Sequence, residues 1–146
     1  MKKLLKSLLI VCCLVPAVLL MTACFGGNKQ LSPEALTEVL EEMGLSTPPP
    51  TNVGGELYAQ SVDVEPGGTV FTTFWHNASL EDADILVEWL IQEGYNMQGP
   101  NTNPSSISWS GRKEDQKFQA SVAFFTTRID SARPKDSLML NLFLEA

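Results

Sequence analysis

Beyond residue 24 the chain has no cysteine: Cys12, Cys13 and Cys24 all lie at the N-terminal end of its 146 residues. A disulfide or a thiolate metal cluster in the body of the protein is thereby excluded. Histidine is almost missing too. The single His76 has no second imidazole with which to share a zinc ion, and no Gly-x-Ser-x-Gly elbow accompanies it. Positive charge is scarce, ten Lys and Arg against seventeen Asp and Glu, so the formal charge is -7 and nucleic acid is a poor partner. Such an acidic surface serves solubility. The one apolar run, residues 8–23, falls short of the roughly 20 residues that span a bilayer.

What the N-terminus does have is a pattern. Lys2, Lys3 and Lys6 form a positive head, residues 8–20 are apolar apart from Pro16 and two cysteines, and Met21-Thr22-Ala23-Cys24 follows. This is the layout of a signal peptide. It resembles a bacterial lipoprotein signal closed by a lipobox, with Met21 where that family usually carries leucine. The resemblance implies cleavage before Cys24, diacylation of the Cys24 sulfur and residence on the extracytoplasmic face of the cell membrane. Two or three acyl chains, at about 0.8 kcal/mol per buried CH₂, anchor stably where one does not. Residues 1–23 would leave as the signal, taking three lysines and bringing the charge of the remainder to -10. Phe25-Gly26-Gly27-Asn28-Lys29-Gln30 then reads as a short tether.

Further along, Ser32 can cap a helix that has Pro33 at its first position, an apolar stripe of Leu36, Val39, Leu40 and Met43, and Gly44 as its stop. The run Ser46-Thr47-Pro48-Pro49-Pro50-Thr51-Asn52 cannot continue it and forms a spacer or strap. Residues 24–55 are therefore expected to be the acylated anchor, a short helix and a proline-rich linker. Whether that helix docks on the core or stands in the stalk is open at this point. The folded domain is expected over residues 56–146.

Within it the period changes to two. Residues 57–65 and 69–76 form a hairpin about Glu65-Pro66-Gly67-Gly68, and Ser79 with Asp82 makes a capping box for a helix over residues 80–93. That helix is expected to bury Ala83, Leu86, Val87, Leu90 and Ile91, and to stop at Gly94. Four β segments follow, at residues 95–98, 107–111, 117–127 and 138–144, separated by turn-rich stretches that include Gly99-Pro100-Asn101-Thr102-Asn103-Pro104. Leu138, Leu140, Leu142 and Leu144 alternate on one face. The fold class is α+β: an antiparallel sheet of five or six strands in ββαββββ order, packed on one main helix, with a short N-terminal helix. Pro48 to Pro50, the run His76-Asn77-Ala78-Ser79-Leu80-Glu81-Asp82, and Gln92-Glu93-Gly94-Tyr95 together resemble acidic Firmicutes lipoprotein domains of unknown function. That resemblance implies the plan of the fold and no activity.

Candidate sites are few. His76, beside the helix start, could serve as a general base with Ser79 or a nearby carboxylate. Glu81, Asp82, Asp84, Glu88 and Glu93 lie on one helix, but a helical face spreads oxygen ligands too widely for calcium, and first-turn acids serve the helix dipole. Asn77-Ala78-Ser79 has the glycosylation spelling and reads as a cap. The aromatic residues Phe71, Trp75 and Phe125 are the candidate binding surface, able to stack on a sugar or grip a peptide if the sheet leaves them uncovered; coverage would make Trp75 core. No metal or cofactor is implied. The expected function is a non-enzymatic, membrane-anchored binding or structural module of the bacterial cell envelope, meeting a protein, peptide or glycan through its sheet surface or an edge strand. The alternatives are a small envelope hydrolase centred on His76 and an accessory subunit of a surface assembly.

Overall fold

The computed structural model describes residues 30–115 and 117–146. The expected signal, Cys24 and most of the tether lie outside the described residues. Helix α1 (Pro33–Glu42) precedes the strands β1 (Glu56–Glu65) and β2 (Gly68–His76), then helix α2 (Leu80–Gln92), then β3 (Asn96–Thr102), β4 (Ser106–Arg112), β5 (Phe118–Phe125) and β6 (Ser137–Glu145). Among the described residues the result is an α+β fold with one open, six-stranded antiparallel sheet and two helices. Strand order across the sheet is β1-β2-β6-β5-β4-β3, so the last strand closes between the first hairpin and the meander.

Local chemistry sets the boundaries. Ser32 caps α1 by accepting from the Ala35 N–H, with Pro33 at the first helical position. Ser79 caps α2 in a full capping box, its hydroxyl accepting from Asp82 N–H while the Asp82 carboxylate accepts from Ser79 N–H. Both helices end alike: a left-handed glycine, Gly44 or Gly94, lets the next residue reach back five positions, Leu45 N–H to Leu40 O and Tyr95 N–H to Leu90 O. In the first hairpin Gly68 has φ +150°, and a Cβ there would lie 2.1 Å from Leu144 O.

One face of the sheet carries the core. Leu138, Leu140 and Leu142 of β6 are wholly buried between their register partners Trp75, Thr73 and Phe71 on β2 and Phe124, Val122 and Ala120 on β5. Helix α2 presses Ala83, Leu86, Trp89 and Leu90 onto this layer. Each large apolar side chain so buried contributes about 1.5–3 kcal/mol. Here the expected stripe needs correcting: Trp89 is inside, and Ile91 is 53% exposed. At about 100° per residue, Ile91 turns one step past Leu90 and off the buried face.

Helix α1 docks. Val39, Leu40, Met43 and Leu45 belong to the same core, the Leu31 N–H donates to Gln60 Oε1 on β1 at 3.1 Å, and the Lys113 ammonium donates to Gly44 O. With its flanking residues it reaches from β1, where Leu31 meets Gln60, to β5, where a Cβ on Gly44 would lie 2.9 Å from the Phe118 ring. A division at residues 55/56 therefore runs through one packed unit.

The proline stretch is a strap along α2, pinned at both helix ends by carboxylates. At the C-terminal end Glu93 accepts from Ser46 N–H (2.7 Å), from Ser46 Oγ (2.9 Å) and from the Thr47 hydroxyl, while Thr47 accepts from Trp89 Nε1 at 2.9 Å. At the other end Asp82 accepts from Gly54 N–H at 2.6 Å. Burial pushes both carboxyls up, but these donors outweigh it and hold Asp82 and Glu93 below the usual carboxylate range.

One strand runs longer than expected. Gly99-Pro100-Asn101, read above as a separator, is part of β3, where the register with β4 slips between Gln98 and Asn101. Proline is tolerated there because β3 is an edge strand and the slip is a bulge.

Candidate functional site

The three aromatics expected to form a binding surface do not form one. Phe71 is 0% and Trp75 7% exposed, because odd-numbered residues of β2 point to the face that the helices cover. Phe125 lies on the opposite face and is buried as well. The segment 126–136 folds over it, with Asp136 N–H donating to Phe125 O at 2.9 Å and the Arg133 guanidinium 5.9 Å from its ring.

His76 is engaged structurally. Its ring stacks on Tyr58 with centroids 3.9 Å apart, and Nε2 donates to Ala132 O at 3.0 Å, which ties the segment 126–136 to the end of the sheet. Ser79, the partner expected for it, gives its hydroxyl hydrogen to Asp82 at 2.9 Å. No carboxylate hydrogen-bonds to His76 among the described residues. The acids of α2 diverge: Glu81, Asp84 and Glu88 are exposed, while Asp82 and Glu93 hold the strap. Among the described residues no three His, Cys, Asp or Glu side chains converge on a point that could hold a metal ion.

No helix among the described residues lies on the sheet's second face. There the register sets seven polar residues and one phenylalanine side by side in two rows: Asn96, Arg112, Gln119 and Phe143, then Gln98, Ser110, Ser121 and Asn141. Both rows cross β3, β4, β5 and β6, and together they line a depression of about 450 Å³. Asn141 is held in orientation, its Oδ1 accepting from the Thr72 hydroxyl at 2.8 Å and its Nδ2 lying 3.7 Å from Met139 Sδ. In a chain with a formal charge of -7, this lining contains no acid and one arginine. Amides and hydroxyls that both donate and accept, a cation and one aromatic ring suit binding. They supply no pair of nucleophile and base for catalysis.

Sequence reasoning passed over these eight residues. The signal was there in β4, where Ser106, Ser108, Ser110 and Arg112 alternate with Ile107, Trp109 and Gly111, so that a wholly polar face backs the apolar one. What could not be read was the register between strands, which sets Asn96 beside Arg112, Arg112 beside Gln119 and Gln119 beside Phe143.

The depression also has a place relative to the N-terminus. Gln30 Nε2 donates to Leu57 O at 3.3 Å, at the end of the sheet where β1 starts and β2 finishes at His76. The depression lies at the other end, where β5 starts and β6 finishes. No helix among the described residues is long and apolar enough to cross a membrane. Comparison with known proteins gives no matching family model, no matching curated protein and no matching solved structure.

Proposed function

We propose that this protein is a membrane-anchored, extracytoplasmic binding module of the bacterial cell envelope, without catalytic activity, that takes its ligand on the open face of its sheet. The observation that carries the reading is the uncovered polar depression on β3 to β6, at the end of the domain away from Gln30. The lipobox-like Met21-Thr22-Ala23-Cys24 supports an acyl anchor on Cys24. With the tether leaving from the Gln30 end, such an anchor would turn the depression outward, toward whatever the envelope presents.

Strand addition at an edge has less support. The β1 edge carries Glu56, Asp63 and Glu65 and a register slip at Tyr58, and the β3 edge carries Pro100 and its bulge. These are the features by which edges resist pairing. The hydrolase reading loses its base to the Tyr58 stack and the Ala132 carbonyl.

Two experiments test the reading. Cys24→Ala should leave an uncleaved precursor that takes up no labelled palmitate; normal labelling would remove the anchor. In cells, a photo-crosslinking amino acid at Gln98, on the rim of the depression, should give a discrete adduct, while one at the exposed Ile91 on the far side should give none. Equal labelling from both positions, or none from Gln98, would remove the open face as the ligand surface.

A further inference from the structure

From the lining of the depression we infer that the ligand is a carboxylate-bearing glycan. The inference rests on the open face being the ligand surface, and goes on to its chemistry. Four cross-strand neighbours in each row span three inter-strand steps of about 4.8 Å, about 14 Å in all, which is the reach of a short oligosaccharide rather than one ring. Asn96, Gln98 and Gln119 each bring a carbonyl acceptor beside an amide donor, and Asn141, whose Oδ1 accepts from Thr72, adds an amide donor. That pairing matches adjacent sugar hydroxyls, which also donate and accept. Phe143 offers an apolar ring at one end of the first row, against which the C–H face of a sugar can lie.

Charge decides the rest. Arg112 stands in the same row with Asn96 on one side and Gln119 on the other, and it makes no salt bridge among the described residues. Its planar fork is suited to a carboxylate. No acid of this acidic chain lines the depression to compete for it. A peptide is the lesser fit, because this is a sheet face whose backbone groups are already paired with their neighbours, and it has one aromatic ring and no deep apolar pocket for side-chain anchors.

The test uses the full-length protein in detergent micelles, titrated with short oligogalacturonates and hyaluronan oligosaccharides, their carboxyl-reduced neutral counterparts, and an oligoglutamate peptide. An acidic oligosaccharide should bind at least ~10-fold more tightly than its neutral counterpart, a difference of about 1.4 kcal/mol. Arg112→Gln should erase that difference, the affinity for the acidic sugar falling to that for its neutral counterpart. Phe143→Leu should weaken both forms alike, and Asn141→Ala serves in its place if thermal melts show that Phe143→Leu does not fold. Ser61→Ala, on the same face but two strands away from the depression, should change nothing. The inference is overturned if none of the acidic sugars binds, if Arg112→Gln leaves the preference for acid intact, or if the glutamate peptide binds as tightly as the sugars. Should the sugars fail while the Gln98 adduct persists in cells, the ligand class falls and the open face stands; should that adduct be missing as well, both fall.

Discussion

At the scale of single residues, the informative positions are those where polarity and burial disagree. Thr73 is 1% exposed between Phe71 and Trp75, and its hydroxyl has no hydrogen-bond partner among the described residues. A buried hydroxyl without a partner costs more than the bond it could have made is worth. Thr73→Val keeps the shape and the β-branch and removes that cost, so the variant should be more stable by about 1 kcal/mol in denaturant melts. A loss of stability would mean that the oxygen is satisfied after all. Trp75 is the opposite case, apolar bulk against the underside of the helices, with Gly55 and Ala78 beside it. Trp75→Ala should cost about 3–5 kcal/mol in the same melts. Any loss of ligand binding in that variant would report unfolding, since Trp75 points away from the open face.

The strap and α2 belong together at the scale of elements, because each end of the helix supplies the carboxylate that fixes one end of the strap. Both carboxyls are held below their ordinary values of 3.8 for Asp82 and 4.5 for Glu93: burial opposes this, and the hydrogen bonds from Gly54, Ser79, Ser46 and Thr47 prevail. A folded-state value below the unfolded one gives stability that is fully present above the unfolded value and lost as pH falls through the folded one. Wild type should therefore lose stability steadily below about pH 4.5. The double variant Asp82→Asn, Glu93→Gln should be less stable than wild type at neutral pH and nearly equal to it in acid, as urea titrations at several pH values would show. Parallel curves would mean that the carboxylates do not pin the strap. The same elements mark what could be read in advance. Caps, stops and alternation are local, so Ser32, Ser79, Gly44, Gly94 and the leucines of β6 declare themselves in the chain. The docking of α1, the two pins at Asp82 and Glu93, and the exchange of Ile91 for Trp89 depend on partners up to 69 residues away, and no periodicity records those. The candidate site was hidden for a related reason: its two rows depend on the register between four successive strands, which alternation within a single strand does not record.

For the whole molecule, the proposed anchor fixes an orientation. Only residues 25–29 separate Cys24 from Gln30, and even fully extended a tether of that length reaches about 20 Å. An acylated Cys24 would thus hold close to the membrane the end of the domain where Gln30 meets Leu57, where His76 reaches Ala132, and where the segment 126–136 returns. That segment exposes Ile129 and carries Arg128 and Lys135 outward, a combination that lipid headgroups tolerate. The depression, toward the opposite end of the strands, would then be held clear of the surface. Because Cys12 and Cys13 would leave with the signal and Cys24 would be acylated, any introduced cysteine would be the one free thiol of the mature chain. A fluorophore on Ile129→Cys should then be quenched strongly by spin-labelled lipid in proteoliposomes, and the same dye on Asn96→Cys should be quenched weakly. Protein produced without residues 1–23 and with Ala at position 24 has neither the acyl anchor nor Cys12 and Cys13, and should lose the contrast. The reverse ranking, with Asn96→Cys quenched more strongly, would place the open face against the membrane and withdraw it from any ligand outside.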